Sequence, residues 1–183
     1  MSVLDLLRGK NRQISREAGD TETVRKIVRE LDALPAAEAR YVAAFAFILA
    51  RVANADLDIS AVETRRMERL LIEHAGLPEE QAILAVQIAK AQSRLFGGTE
   101  NFLVTREFKQ IASREQCLTL LDCLFAVAAA DDSISSGEEN EIRQIASELA
   151  LTLSDLDGVR SRYSAQREVL KGLPRPAPAA PTE

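Results

Sequence analysis

The chain has 183 residues, a formal net charge of −5, and a hydrophobic content of 46% in which aromatic residues are scarce at 4%. That length suits one domain with a real core, and an acidic chain without a concentrated basic face argues against a nucleic-acid-binding protein. The core must consist mainly of Leu, Ile, Val and Ala, which favours closely packed helices because Ala has the highest helix propensity and lets helix axes approach.

The N-terminal sequence and the apolar stretches predict a cytoplasmic protein. Residues 1–7 are too short for the apolar region of a secretory signal, and basic residues follow them. The most apolar stretches, residues 41–50 and 118–130, are shorter than the roughly 20 residues of a membrane-spanning helix. Cys117 and Cys123 are therefore expected to be reduced core residues, and His74 is expected to be structural, near a helix C-terminus.

Helical periodicity predicts most of the remaining elements. Residues 1–20 are predicted to form a short amphipathic start and a flexible linker. Helices are predicted over residues 21–34, 36–55, 61–75, 79–96, 104–112, 113–130, 136–150 and 154–173. Gly76 is expected to end the third helix, and Ser154 to cap the last one. Residues 174–183 are rich in Pro and Ala and are predicted to be disordered.

One stretch of the chain occurs twice. Residues 52–63 return 75 positions later as residues 127–138, with seven of the twelve positions identical, where unrelated segments would share about one. We interpret this as an internal duplication. It predicts a single all-α bundle of about seven to eight helices over residues 21–173, built from two pseudo-twofold-related repeats joined by a short helix. Ile59 and Ile134 are expected to anchor the repeated loops in the core.

Each copy of the repeat holds an acidic loop that leads into a helix. Ser60 with Glu63, and Ser135 with Glu138, fit the Ser-x-x-Glu pattern of a capping box. In that motif the serine side chain accepts a hydrogen bond from an exposed backbone N–H, and the glutamate reaches back to the capping residue. Each such cap contributes about 1 kcal/mol, so helix capping alone could explain these four residues.

Capping does not explain the aspartates of the loops. Asp56 and Asp131 fall where the preceding helix ends, so each carboxylate faces unpaired carbonyls and the negative end of the helix dipole. The N-terminus of the next helix or a bound cation could offset that cost. Carboxylate oxygens suit Ca²⁺ or Mg²⁺, although the spacing is not that of an EF-hand. The predicted metal ligands are Asp56, Asp58, Glu63, Asp131, Asp132 and Glu138.

The pattern Ala-Asp-x-x-Ile-Ser-x-x-Glu, found twice after an Ala-rich helix, resembles the tellurite-resistance protein B (TerB)-like family. The resemblance extends over residues 41–156, although Leu57 and Asp132 stand where the family motif usually has Gly. It implies an all-α fold, an acidic surface formed by the two loops, and a role in metal or chemical-stress response without established catalysis. The residues that match the motif are Asp56, Glu63, Asp131 and Glu138.

The leading hypothesis is a non-enzymatic TerB-like interaction or sensor domain whose acidic loops bind a divalent cation or a basic protein partner. The alternative is a passive helical scaffold that the amphipathic residues 1–7 recruit to a membrane surface or a protein complex. A metal-dependent hydrolase is disfavoured, because the chain has no Gly-rich phosphate loop and no nucleophile placed beside a histidine. The sequence identifies neither the metal, the partner nor the oligomeric state.

Overall fold

A computed structural model describes residues 22–53, 61–95, 101–131 and 133–167. Within these ranges the chain is all-α and contains eight α-helices and two 3₁₀ turns, Ala129–Asp131 and Ser161–Tyr163. The helices are α1 Glu22–Ala33, α2 Ala36–Ala53, α3 Ala61–Ala75, α4 Glu79–Leu95, α5 Asn101–Ile111, α6 Arg114–Ala128, α7 Ser136–Glu148 and α8 Leu153–Arg160. The predicted fold class and helix number are therefore confirmed.

Helix α2 forms the centre of the core. Every residue from Val42 to Ala50 is buried, because this stretch is apolar on all sides and α2 packs against α1, α4, α5, α6 and α7. A helix that is apolar all round is expected to be buried on every face. The predicted helices 61–75 and 79–96 correspond closely to α3 and α4, and the expected termination of α3 at Gly76 is confirmed.

The turn between α3 and α4 requires a glycine. Gly76 has a φ of +61°, a left-handed conformation that a residue without a Cβ adopts at little cost. Its N–H bonds to the Ile72 carbonyl at 3.1 Å, and the Leu77 N–H reaches the Leu71 carbonyl at 3.5 Å. These bonds satisfy carbonyls at the end of the helix, and the buried Leu77 side chain attaches the turn to the core.

The short helix between the two copies begins earlier than predicted. Helix α5 starts at Asn101 rather than at residue 104. Its Phe108 is fully buried and its ring lies 5.3 Å from Tyr41 and 6.3 Å from Phe45. Phe102, in contrast, is 55% exposed. Only one of the two α5 phenylalanines therefore packs in the core.

The prediction for the last helix was wrong at both ends. Thr152, and not Ser154, caps α8, because Thr152 and Asp155 form a capping box in which each side chain binds the other residue's backbone N–H. Helix α8 ends at Arg160 rather than near residue 173, and a 3₁₀ turn follows it. The predicted tail 174–183 and the predicted start 1–20 lie outside the described residues.

The two halves of the domain share one core. Helix α2 packs on α4, and α6 packs on α8; helix α3 packs on α6, and α7 packs on α2. These four pairs correspond between the two copies, but α3 also packs on α4 and α6 on α7 without an equivalent pair among the described residues of the other copy. The packing is therefore only partly symmetric, and the duplication itself stays a prediction from the sequence. None of the described helices is long and apolar enough to cross a membrane.

Candidate functional site

The structure describes only some of the six predicted metal ligands. Asp56, Asp58 and Asp132 lie outside the described residues. Glu63 belongs to the first turn of α3, and Asp131 ends the 3₁₀ turn after α6, but their side chains are outside the description as well. Glu138, in the first turn of α7, is described with its side chain. The site can therefore be built only from the second copy.

Glu138 acts as one half of a capping box. The Ser135 N–H donates to Glu138 Oε2 at 2.8 Å, and the Glu138 N–H donates to Ser135 Oγ at 3.2 Å. This arrangement satisfies two backbone donors at the start of α7 and confirms the capping prediction for the second copy. The Gln116 side chain plays the same part with Ser113 at the start of α6, so the glutamate charge is not needed for the cap.

The second loop is attached to the core and to the C-terminal end of the described chain. Ile134 is fully buried, which confirms its predicted role as an anchor. Its N–H donates to the Gln166 carbonyl at 2.8 Å, and Ile134 pairs with Arg167 in an isolated parallel β-bridge. We call residues 161–167 the C-terminal strap, because they run back from α8 across the start of α7.

Glu139 is the carboxylate on which the arginines converge. It is 5% exposed, and Arg167 of the strap donates to it through both Nε, at 2.9 Å, and a terminal nitrogen. Arg160 at 3.5 Å and Arg143 at 3.9 Å complete the cluster. The hydrogen bonds from Arg167, with the charges of all three arginines, lower the pKa of Glu139 against the opposing effect of burial.

Asp122 binds two residues in the N-terminal half of the strap. The Tyr163 hydroxyl donates to Asp122 Oδ1 at 3.0 Å, and Arg162 lies 3.2 Å from the same oxygen. The Tyr163 ring also stacks on Phe125, with centroids 5.6 Å apart and ring planes 14° apart. Burial and the neighbouring Asp122 carboxylate raise the pKa of Tyr163, so the hydroxyl keeps the proton that it donates. On its other side, Asp122 Oδ2 lies 2.6 Å from His74 Nδ1 of α3.

A second buried polar group connects the halves of the domain. The Arg51 side chain is 3% exposed and pairs with Glu141 and Glu148 of α7, each at 2.7 Å. It also donates to Thr105 Oγ1 at 2.7 Å. Burial raises the pKa of Glu148, but the hydrogen bonds from Arg51 and other donors outweigh that effect and the pKa is lowered overall. The guanidinium is therefore fully partnered.

Residues 41–161 match the family model for Tellurite resistance protein TerB. The chain belongs to the TerB family. No curated protein and no solved structure matches the chain. The TerB match contains helices α3 to α8 in full together with both acidic loops, and it confirms the resemblance seen over residues 41–156.

Within the TerB domain, Glu138 fits the ligand class of a hard divalent cation. The cap uses only Oε2 of its carboxylate, and among the described residues no other group binds Oε1. Carboxylate oxygens are ligands that Ca²⁺ and Mg²⁺ accept. The described part of the chain contains no cluster of three or more His, Cys, Asp or Glu side chains that could hold a metal ion.

Sequence reasoning missed the polar contacts that organise this TerB domain. Arg51 directly follows the apolar stretch 41–50 and Asp122 lies within the apolar stretch 118–130. A charge on a buried helix face needs a partner, and that need is the available signal. Arg160 carries no such signal, although it contacts Glu139. No local pattern marks Glu139 or Arg167, because their pairing depends on the path of the strap.

Proposed function

We propose that this TerB-family domain is a non-enzymatic interaction or sensor module in metal or chemical-stress response, with acidic loops that bind a divalent cation or a basic partner. One observation carries the proposal: at the second loop, the carboxylate of Glu139 binds an arginine from a separate segment of the chain. The surface is thus chemically suited to cationic groups. The cytoplasmic location and the stress-response role remain part of this proposal.

The electrostatics at the start of α7 support cation recognition. Glu138 and Glu139 both lie in the first helical turn, where the positive end of the helix dipole stabilises carboxylates in their charged form. The net charge of −5 for the chain adds a long-range attraction for cations. Glu138 differs from Glu139 because no arginine is paired with it among the described residues, so it is the better candidate for an external ligand.

The described chemistry supports a role without catalysis. His74 and Asp122 form a pair that could orient a general base, but among the described residues no Ser, Thr or Cys side chain bonds to the His74 ring. Burial raises the pKa of Cys117, and it raises the pKa of Cys123 to about 12. Thiols with raised pKa values are poor nucleophiles, because the thiolate is the reactive form.

The substitution Glu138→Gln tests the cation half of the proposal. Glutamine preserves the cap, as Gln116 does at α6, but it removes a negative charge that strengthens divalent-cation binding. We expect calorimetric titration with Ca²⁺ and Mg²⁺ to detect binding to the wild type and an affinity about tenfold lower for Glu138→Gln. The free energy of unfolding without metal should change by less than about 0.5 kcal/mol.

The matched control is Glu115→Gln, which changes an exposed glutamate in the first turn of α6. It should leave the cation affinity unchanged, because Glu115 does not belong to either acidic loop. Absence of heat and of any shift in melting temperature at millimolar Ca²⁺ and Mg²⁺ would rule out the cation half. Equal losses of cation affinity in the two variants would mean that the cation responds to the overall charge of the protein and not to a site at Glu138.

A further inference from the structure

The C-terminal strap contacts the second loop as a short, turn-forming peptide. The 3₁₀ turn Ser161–Tyr163 is followed by a second turn, after which residue 167 pairs with Ile134. The backbone of the strap supplies one carbonyl, that of Gln166, to the Ile134 N–H at 2.8 Å. The next side chain, Arg167, forms a two-pronged ion pair with Glu139. A main-chain hydrogen bond combined with side-chain selection by adjacent groups is a recurring feature of peptide recognition.

A second anchor fixes the spacing of the recognised segment. Tyr163 lies four residues before Arg167, stacks its ring on Phe125 and donates its hydroxyl to Asp122. Aromatic stacking and an ion pair of this kind are each selective, and together they define a Tyr-x-x-x-Arg pattern. Both acceptor carboxylates belong to helices of the core, Asp122 to α6 and Glu139 to α7.

Between these anchors the strap makes little contact with the domain. Ser164 and Ala165 are exposed, and the Ser164 and Gln166 N–H groups bond back to carbonyls within the strap itself. Before Tyr163, Arg162 is exposed and its side chain lies 3.2 Å from Asp122 Oδ1. The strap is thus held by a few polar groups and one aromatic ring. A separate peptide that carries the same groups could supply every one of those contacts.

We propose that the surface formed by Asp122, Phe125, Ile134 and Glu139 is a docking surface for an arginine-bearing segment of a protein partner that adopts the turn of the strap, and that the strap occupies it in cis. This inference rests on the proposed function and deepens it, since it names the basic partner by its chemistry. Binding of the partner requires displacement of the strap, which competes at the high effective concentration of a tethered ligand. The domain is therefore autoinhibited.

The experiment uses the full chain and a fluorescein-labelled peptide with the sequence of residues 160–167, Arg-Ser-Arg-Tyr-Ser-Ala-Gln-Arg. In fluorescence anisotropy titrations, we expect Arg167→Ala to bind this peptide at least about fivefold more tightly than the wild type, because the competing strap is weakened. Arg167→Lys, which keeps the charge but loses the two-pronged geometry, should fall between them. A peptide with Gln in place of its last Arg should bind at least about tenfold more weakly.

The control is Arg143→Ala, which removes an arginine that lies 3.9 Å from the same Glu139 carboxylate but is not part of the strap. It should bind the peptide within about twofold of the wild type. Hydrogen exchange gives a second readout: the Ile134 amide should exchange faster in Arg167→Ala than in the wild type, and added peptide should slow it again. Equal peptide affinity in Arg167→Ala and the wild type would overturn the proposal.

The experiments can contradict either proposal without contradicting the other. If Ca²⁺ or Mg²⁺ binds but Arg167→Ala gains no peptide affinity, the docking surface is wrong and the cation-binding function stands. If the peptide binds as expected and neither cation does, the cation half of the proposed function is wrong and the docking surface stands. Equal binding of the Arg and Gln peptides would also overturn the docking surface, since arginine recognition by Glu139 would be absent.

Discussion

At the scale of single residues, buried charges mark the positions that matter most in this domain. Glu139 and Arg51 are both buried, and both are surrounded by groups of opposite charge. A buried carboxylate is costly unless charged donors satisfy it, and Arg167 provides that compensation for Glu139. The strap is therefore coupled to the protonation state of one side chain.

The stability that Glu139 contributes should depend on pH. Because Arg167 lowers its pKa below the ordinary value of 4.5, the unfolded chain takes up this proton first as the pH falls. The contribution is thus fully present well above pH 4.5 and is lost as the pH falls through the lower pKa of the folded state. In urea unfolding, the difference between the wild type and Glu139→Gln should be large at pH 7 and should shrink in acid.

The exposed Glu115 provides the comparison for this pH dependence. Glu115→Gln should give a free energy of unfolding that follows the wild type across the same pH range. A difference between the wild type and Glu139→Gln that stays constant from pH 7 to pH 3 would show that the Glu139 charge is not coupled to folding.

At the scale of elements, the helix starts are the best-determined features. Helices α6, α7 and α8 each begin with a complete capping box. Capping is a local property, because the cap side chain and its partner are three residues apart, so the pattern can be recognised in the sequence. The α8 start was nonetheless misassigned, because Thr152 and Ser154 each have an aspartate three residues later, Asp155 and Asp157. The structure forms the box at Thr152, while Asp157 binds Arg160.

The cap of α7 should make a measurable contribution to the free energy of unfolding. Ser135→Ala removes the oxygen that accepts the Glu138 N–H, and we expect it to lower the free energy of unfolding by about 1 kcal/mol. Ser136→Ala is the matched control, because Ser136 is the exposed first residue of the same helix. A loss in the control equal to that in Ser135→Ala, measured by urea unfolding and circular dichroism, would contradict the cap assignment.

At the scale of the whole molecule, polar contacts join the two halves in two places. Arg51 of α2 binds two glutamates of α7, while His74 of α3 contacts Asp122 of α6. These contacts lie between helix pairs that also pack through their apolar faces. The two halves are therefore expected to unfold together.

Loss of the Arg51 contact should be costly. Arg51→Met leaves Glu148, whose side chain is 8% exposed, without its charged partner. Removing one member of a buried ion pair typically costs 3–5 kcal/mol, and we expect a loss of about 3 kcal/mol in the free energy of unfolding. Arg114→Met, which breaks the pair between an Arg114 side chain that is 60% exposed and Asp155, should cost less than about 1 kcal/mol.

These values are measured by urea unfolding followed by circular dichroism. Similar losses for Arg51→Met and Arg114→Met would mean that burial does not strengthen the α2–α7 contact. A single cooperative transition in the wild type is the accompanying expectation, since the two halves share one core.

The sequence by itself determined the all-α class, the TerB family, most helix bounds, the cap at Ser135, and the burial of Ile134. Those features depend on periodicity and on contacts between residues a few positions apart, which a linear pattern records. Only the tertiary structure decided that Arg51 pairs with glutamates of α7. The same holds for the contacts of Asp122 with His74 and with Tyr163 of the strap, and for the ion pair between Arg167 and Glu139. Each of these pairs joins residues 28 to 97 positions apart, and only the packing of the helices brings such charges into contact.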